Sequence, residues 1–370
     1  MSEISLCMIV KDEAQCLARC LQSVQGAVDE IVILDTGSTD DTKQIARRFT
    51  PHVYDYVWTD DFAAARNAAF ARASKPFLLW LDADDVLDPS EREKLIALKP
   101  RLNERVDAVM MPYHAAFHAD GTPAFVYERE RIVRRDAGFV FSGVVHEAMT
   151  VWGNVLHEDI AIRHAPPPKE GHARRNLTIY ETWLARGRRM GPRDAYYYAR
   201  ELMDCGELAR AEQAFAAFLQ MDGWVENRID ALVQRGNCLV RLGRAQEAKR
   251  SYLEALGIAP RAETLCALGQ CLLHEGELHQ AAFWYRAALA CEKPTHTGAF
   301  VLTDAYGYIP AIQLCVCYDR MGRHREASQM NEQALLMRPD DPAALSNRAY
   351  FARVLAPQQE NIGHSDGAYK

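Results

Sequence analysis

The sequence lacks the features that define several large protein classes. In its 370 residues no apolar run reaches membrane-spanning length, and no signal peptide precedes the first apolar segment. A formal net charge of −7 gives no sign of the basic surface that binds nucleic acid. The ten cysteines have no paired metal-ligand spacing, so we expect small buried thiols in a reducing compartment. These absences predict a cytoplasmic protein with no membrane span and no nucleic-acid partner.

Strands and helices alternate along the first part of the chain. Apolar strands are predicted at residues 5–10, 31–34, 53–57 and 78–81, and helices are predicted between them. Near-continuous apolar strands that alternate with helices favour an α/β domain with a mostly parallel sheet, covered on both faces. In such a sheet, ligands bind outside the carboxyl ends of the strands.

Two carboxylates, Asp82 and Asp84, end the fourth predicted strand. Alternation along an extended chain points both to the same side, where a cation is expected. A divalent ion that also neutralises a diphosphate suits such a pair. The alternative is an Asp-rich turn or helix cap leading into Pro89. Lys11 and Asp35 follow other strands and converge on the same crevice.

Four short segments have distinctive residue patterns: 8–13 (MIVKDE), 34–40 (LDTGSTD), 61–67 (DFAAARN) and 81–85 (LDADD). In this order and at these spacings they resemble the successive signatures of glycosyltransferase family 2. The resemblance covers roughly the first 165 residues. It implies a GT-A fold, a nucleotide-diphosphosugar donor, a Mg²⁺ or Mn²⁺ ion and inversion at the anomeric carbon.

The resemblance implies donor-binding roles for individual residues. Asp35 would bind the nucleotide base, since a carboxylate can accept the imide N–H of uracil; a helix-capping Asp is the alternative. Val10 and Lys11 lie where the first strand of the family meets the nucleotide. Arg66 matches the Arg-Asn pair near the uridine, although a lone helical Arg is more often solvated. Arg131 is a candidate partner of the leaving diphosphate.

The resemblance also implies a metal site. Asp84 matches the residue that ligates the metal directly, and Asp82 the one near the ribose and metal. Asp85 is expected to be only a cap. His164 ends a strand-like alternation at residues 160–165 and would complete the site, because a neutral imidazole suits Mn²⁺ better than Mg²⁺. A His at an arbitrary strand end is usually not a ligand.

A His-Glu pair ends the segment 141–147, which resembles the Gly-x-Val-His-Glu segment of bacterial members that glycosylate peptides or lipopolysaccharide cores. Inverting transfer needs one general base to deprotonate the acceptor. The usual carboxylate motif of the family is absent in its common form. Glu147 is therefore the candidate base and His146 the alternative. A pair that only orders the acceptor loop remains open.

Beyond the three prolines at 166–168 the pattern changes to helical repeats. Glycines at 206, 243, 276 and 322 are each followed five residues later by alanine, and an aromatic follows the first three glycines after nine residues. Helix pairs of about 34 residues that carry such small residues at fixed positions are typical of tetratricopeptide repeats. An insertion at 295–308 lengthens the spacing between the last two repeat glycines. Such arrays most often bind peptide, and a structural buttress or homodimer surface is the alternative.

The sequence thus divides into a GT-A domain at 1–168, a linker helix at 169–190, tetratricopeptide-like repeats at 191–356 and a mobile tail at 357–370. We expect an inverting, Mn²⁺- or Mg²⁺-dependent transfer from a UDP-sugar to a polypeptide held partly by the repeats, similar to the bacteriocin-peptide glycosyltransferases. A lipopolysaccharide-core or other glycan acceptor is one alternative. A repeat-based adaptor with an inactive transferase domain is another.

Overall fold

The computed structural model describes residues 2–167 and 174–356. They form two compact units, one of Met1–Pro260 with Lys293–Thr303 and the other of Arg261–Glu292 with Asp304–Lys370. The tail predicted to be mobile lies outside the described residues, as does the start of the predicted linker helix. Within the described ranges, no helix has the length and apolar character needed to cross a membrane. The division at residues 168 and 190 stays a prediction.

A ten-stranded sheet forms the centre of the first unit, and its first half alternates strands with helices as expected. β3, β2, β1 and β4 lie side by side in that order and run parallel. The elements are β1 Ile4–Val10, α1 Leu17–Ser23, β2 Glu30–Asp35, α2 Thr42–Ala46, β3 Val53–Asp55, α3 Phe62–Phe70 and β4 Phe77–Trp80.

The second half of the sheet contains antiparallel strands, so the sheet is mixed. The elements are β5 Asp85–Val86, α4 Pro89–Leu98, β6 Ala108–Phe117, β7 Pro123–Arg134, β8 Phe141–Ser142, β9 Ala148–Met149, β10 Val155–His157 and β11 Ile162–His164. β7 runs antiparallel to β4 and β6, and β11 pairs with β6 and β5. Neither β6 nor β7 was predicted from the sequence: charged residues interrupt β7, and β6 is mostly apolar but contains a proline, which is uncommon within a sheet.

Both faces of the sheet are covered, as predicted from the apolar strands. Along β1, Leu6 and Met8 enter a core with helix α1, whereas Cys7 enters the core on the other face with Trp80. Eight of the ten cysteines are buried and all ten are free thiols. Burial raises the pKa of the Cys7 thiol. The cysteines therefore act as small core residues in this fold, as expected.

Helices make up the rest of both units. The first unit contains α5 Arg175–Ala185, α6 Pro192–Asp204, α7 Leu208–Phe218, α8 Val225–Arg241 and α9 Ala245–Ile258. The second contains α10 Ala262–His274, α11 Leu278–Leu289, α12 Tyr308–Arg320, α13 His324–Met337 and α14 Pro342–Val354. The insertion between α11 and α12 returns to the first unit, where β12 Val301–Leu302 pairs antiparallel with β7.

The repeat signature has a clear structural basis. The four repeat glycines adopt φ between 73° and 82°, a left-handed conformation that glycine reaches without strain, in the turns between paired helices. The alanines five residues later are fully buried. Asn331, which replaces the repeat aromatic, is also buried and donates from Nδ2 to the carbonyl of Ala344 at 2.8 Å. The tetratricopeptide prediction is confirmed.

Candidate active site

The candidate site begins where β1 and β2 end. Asp35 is the last residue of β2 and pairs with Val10 of β1. The Oδ1 atom of Asp35 accepts from the backbone N–H groups of Gly37 and Ser38 at 3.0 and 2.8 Å. Its Oδ2 atom is buried and accepts no hydrogen bond from the described residues. A buried acceptor without a donor fits the predicted contact to the imide N–H of a base. Lys11, the next residue after Val10, is exposed.

Arg66 joins two carboxylates predicted from separate motifs. Its Nη2 donates to Asp82 Oδ1 at 2.5 Å, and its Nε donates to Glu147 Oε1. The three side chains come from α3, the end of β4 and the β8–β9 loop, so only tertiary contacts bring them together. Arg66 and Glu147 are buried, and Asp82 is 40% exposed.

Asp84, Asp85 and His164 form a cluster of possible metal ligands. Antiparallel pairing of β11 with β5 sets His164 opposite Asp85. The Nδ1 atom of His164 lies 3.6 Å from Asp84 Oδ1 and 3.8 Å from Asp85 Oδ1. His164 Nδ1 and Asp85 Oδ1 are both buried without a hydrogen bond among the described residues. Two carboxylates and one imidazole fit a divalent ion such as Mn²⁺.

The interpretation of Asp85 as a helix cap is wrong. Helix α4 begins after Asp88, whereas Asp85 lies in β5 and is fully buried. Its Oδ2 accepts from the backbone N–H of Asp82 at 3.0 Å and pairs with Arg131 Nη1 at 3.0 Å. Asp85 therefore organises the acidic turn from within the sheet.

The acidic residues of this turn titrate differently. Burial raises the pKa of Asp82, but Arg66 and Arg131 outweigh it and bring the pKa to about 2. Burial raises the pKa of Asp84 to about 6; the nearby Asp82 and Asp85 add to this rise and His164 opposes it. Asp82 therefore stays ionised beside its arginine partners. The negative charge of ionised Asp84, by contrast, is not balanced by a neighbouring arginine.

Trp80 lies among three guanidinium groups at the end of β4. The guanidinium carbons of Arg66, Arg129 and Arg131 lie 4.6, 4.6 and 4.1 Å from the centroid of its ring. Arg131 is almost fully buried and pairs with Asp85, which favours a role in holding the acidic turn. Its contact with the leaving diphosphate stays a prediction. Arg129 was missed, although the charged alternation 128–131 was visible in the sequence.

His146 and Glu147 are neighbours in the chain, yet they have different partners. His146 has a φ of 53°, and its Nε2 lies 2.6 Å from Glu201 Oε1 on α6. Its ring stacks on Tyr197, also on α6, with centroids 4.4 Å apart. Glu147 instead contacts Arg66. Glu201 and Tyr197 could not be linked to His146 from the sequence, because they lie about fifty residues away in the helical region.

Two family models match the chain. The Glycosyl transferase family 2 model covers residues 5–141, and a Tetratricopeptide repeat model covers residues 229–261. The first includes every predicted donor-site residue, together with Asp82 and Asp84. The second covers most of α8 and all of α9.

Three relatives are similar to parts of the chain. A TPR repeat-containing protein of Synechococcus elongatus is 32% identical over 233 residues, which are 58% of this chain and 55% of the relative. The glycosyltransferase SunS of Bacillus subtilis is 29% identical over 209 residues, with coverage of 53% and 48%. The lipopolysaccharide core biosynthesis glycosyltransferase LpsC of Rhizobium meliloti is 32% identical over 161 residues, with coverage of 41% and 58%.

The chain thus spans about half the length of the curated relatives it matches. The matched segments support the prediction of a glycosyltransferase enzyme. They agree with the sheet, the acidic strand ends and the paired helices described above. Residues 5–141 are therefore similar to glycosyltransferase family 2, and residues 229–261 are similar to a tetratricopeptide repeat.

Proposed function

We propose that this protein is an inverting, metal-dependent glycosyltransferase that moves a sugar from a UDP-sugar to a polypeptide acceptor. The main support is one sheet edge with two complementary features. Asp35 has a buried oxygen without a donor, and the turn after β4 holds the cluster of Asp84, Asp85 and His164. The first suits a nucleotide base, and the second suits the cation that accompanies a diphosphate.

Within this proposal the residues have distinct tasks. Asp84, Asp85 and His164 would hold Mn²⁺ or Mg²⁺, which stabilises negative charge on the leaving diphosphate when bound. Asp82 and Arg66 would position the donor beside that ion. The acceptor nucleophile would attack the anomeric carbon in line while the bond to the diphosphate oxygen breaks. Its proton would pass to Glu147, or to His146 as the alternative base.

The polypeptide acceptor is supported by the helical repeats and by a groove between α7, α8 and α9. Leu219, Leu232, Arg228 and Glu254 line this groove and offer both apolar and charged contacts. SunS is named only as a glycosyltransferase, so its likeness does not define the acceptor. A glycan acceptor is the second candidate, favoured by the similarity to LpsC. The cytoplasmic location and the homodimer stay predictions.

Donor hydrolysis tests this proposal directly. The full chain is incubated with a panel of nucleotide sugars and Mn²⁺, and release of the nucleoside diphosphate is measured. We expect a UDP-sugar to be hydrolysed by the wild type, and hydrolysis to be lost in Asp35→Ala and retained in Asp136→Asn. Failure to hydrolyse or bind any nucleotide sugar in the panel would favour the adaptor alternative.

A further inference from the structure

A second cluster of metal-ligating side chains lies outside the Asp84, Asp85 and His164 group. Glu128 is on β7, His157 ends β10, and His296 belongs to the segment 293–303 that contributes β12. All three residues belong to the first unit. None of them has a role in the proposed sugar transfer, so the cluster needs its own explanation.

The three ligand atoms form a nearly equilateral triangle. His157 Nδ1 and His296 Nδ1 lie 3.0 and 3.1 Å from Glu128 Oε1 and 3.0 Å from each other. In a tetrahedral zinc site with metal–ligand bonds of about 2.0–2.2 Å, neighbouring ligand atoms are about 3.3–3.6 Å apart. The triangle therefore matches one face of such a tetrahedron to within a few tenths of an ångström.

The backbone and ring geometry also indicate that the two histidines bind one common cation. His296 has a φ of 56°, which is uncommon for a residue other than glycine. The two imidazole rings meet at 68° with centroids 4.4 Å apart, so they do not stack. Two ring nitrogens this close cannot both bear protons without conflict, whereas a cation can take a lone pair from each.

Access and ligand chemistry define the kind of ion. Glu128, His157 and His296 have side chains that are 17%, 32% and 62% exposed, so an ion can enter from solvent and keep a water ligand. Two imidazoles with one carboxylate suit Zn²⁺ and similar transition metals, whereas Mg²⁺ and Ca²⁺ prefer oxygen ligands. We propose that these residues form a transition-metal site, with Zn²⁺ as its probe, that fastens segment 293–303 to β7 and β10.

A zinc titration of the metal-free full chain tests this site. It is done by calorimetry in saturating Mg²⁺, which occupies oxygen-rich sites. We expect His157→Ala, His296→Ala and Glu128→Gln each to bind one Zn²⁺ per chain fewer than the wild type. His279→Ala, an exposed histidine on α11, is the matched control and should bind as the wild type does. Asp84→Ala should keep this Zn²⁺, which separates the site from the proposed catalytic ion.

The melting temperature gives a second readout. In saturating Mg²⁺, Zn²⁺ should raise it more in the wild type and in His279→Ala than in His296→Ala, because a ligand that binds only the folded state stabilises that state. Glu128→Gln keeps the shape of the side chain and serves if a histidine variant does not fold. Equal Zn²⁺ stoichiometry and equal stabilisation in the wild type and all three ligand variants would overturn the proposal and leave a hydrogen-bonded His-Glu-His cluster.

Discussion

At the scale of single residues, Asp84 differs from the carboxylates beside it. Asp82 is paired with Arg66 and Asp85 with Arg131, whereas Asp84 has only the imidazole of His164 at 3.6 Å among the ion pairs described. Burial, together with the negative charges of Asp82 and Asp85, raises the pKa of Asp84 to about 6, and no arginine pairs with Asp84 among these ion pairs to offset that rise. A bound divalent ion would supply the missing positive charge.

The raised pKa predicts how Asp84 affects stability without metal. The unfolded chain loses this proton near the ordinary value of 3.8, whereas the folded protein holds it up to about pH 6. Stability therefore falls as pH rises through that window, and the ionised carboxylate destabilises the metal-free fold above it. We expect Asp84→Asn to raise the free energy of unfolding by about 1–3 kcal/mol at pH 7.5 in chelator. The gain should shrink as the pH is lowered toward 4.

Chemical denaturation at several pH values measures this effect. Asp136→Asn changes a carboxylate that is 74% exposed and should show no comparable pH dependence. With Mn²⁺ added, the wild type should gain more stability than Asp84→Asn does, because the variant lacks a ligand. A variant that is no more stable than the wild type in chelator at pH 7.5 would contradict this account of Asp84.

Substitutions of the two candidate bases, Glu147 and His146, and of their partners can show which of them takes the proton. Glu147→Gln keeps the shape of the side chain but removes its capacity to take a proton, so turnover should fall by ~10²–10⁴-fold with donor binding retained. If His146 were the base, then His146→Ala and Glu201→Gln would be the more damaging changes, since Glu201 fixes the imidazole. Single-turnover rates across pH, measured beside donor affinity, distinguish the two patterns.

At the scale of elements, close helix packing depends on particular glycines in the repeats. A Cβ atom on Gly236 of α8 would lie 2.3 Å from Cε1 of Tyr252 on α9. Tyr252 is buried, and its hydroxyl donates to Asn237 Oδ1 at 2.8 Å, so the ring cannot move away freely. The repeat pattern identified Tyr252 and the turn glycine, but this contact is visible only once the helices are packed.

This contact predicts opposite effects for two glycines of the same helix pair. Gly236→Ala should lower the free energy of unfolding by about 1–3 kcal/mol, because overpacking forces the ring or the helix to shift. Gly257→Ala on α9 meets open space and should be neutral or stabilise by up to about 1 kcal/mol, since alanine favours the helix. Urea denaturation of both variants measures the difference, and equal midpoints would contradict the packing argument.

At the scale of the whole molecule, helix α6 contacts the loop that bears the candidate base. Arg193 Nε donates to the carbonyl of His146 at 2.9 Å, and Asp194 Oδ1 accepts from the backbone N–H of Val144 at 3.3 Å. A chain ending before Gly191 would lose these contacts together with the repeats. Point substitutions in the helical groove are therefore the cleaner test of acceptor binding.

The groove between α7, α8 and α9 gives such a test. Glu254→Arg reverses an exposed charge there and should raise the KM for a peptide acceptor roughly tenfold, which corresponds to about 1.4 kcal/mol. Hydrolysis of the donor in the absence of peptide should not change, because that reaction needs only the sheet edge. Glu104→Arg, an exposed loop residue, is the control. Unaltered peptide kinetics would favour a buttress role and the glycan acceptor.

Features that depend on local patterns could be predicted from the sequence. Apolar runs and helical spacing predicted β1 to β4, because the periodicity of a strand or helix is present within a few residues. Strand ends predicted the positions of Asp35, Asp82 and Asp84 for the same reason. The repeat spacing predicted the glycine turns and buried alanines, since each repeat is one local helix pair.

Contacts between side chains from distant segments depend instead on the three-dimensional fold. Arg66 joins Asp82 to Glu147 although 81 residues separate it from Glu147, and His146 turns away to Glu201. His164 meets Asp84 and Asp85 through the pairing of β11 with β5, and His296 reaches the sheet through the segment that contains β12. These contacts depend on strand order and register between distant segments, which no local pattern encodes, because register is set by packing across the whole sheet.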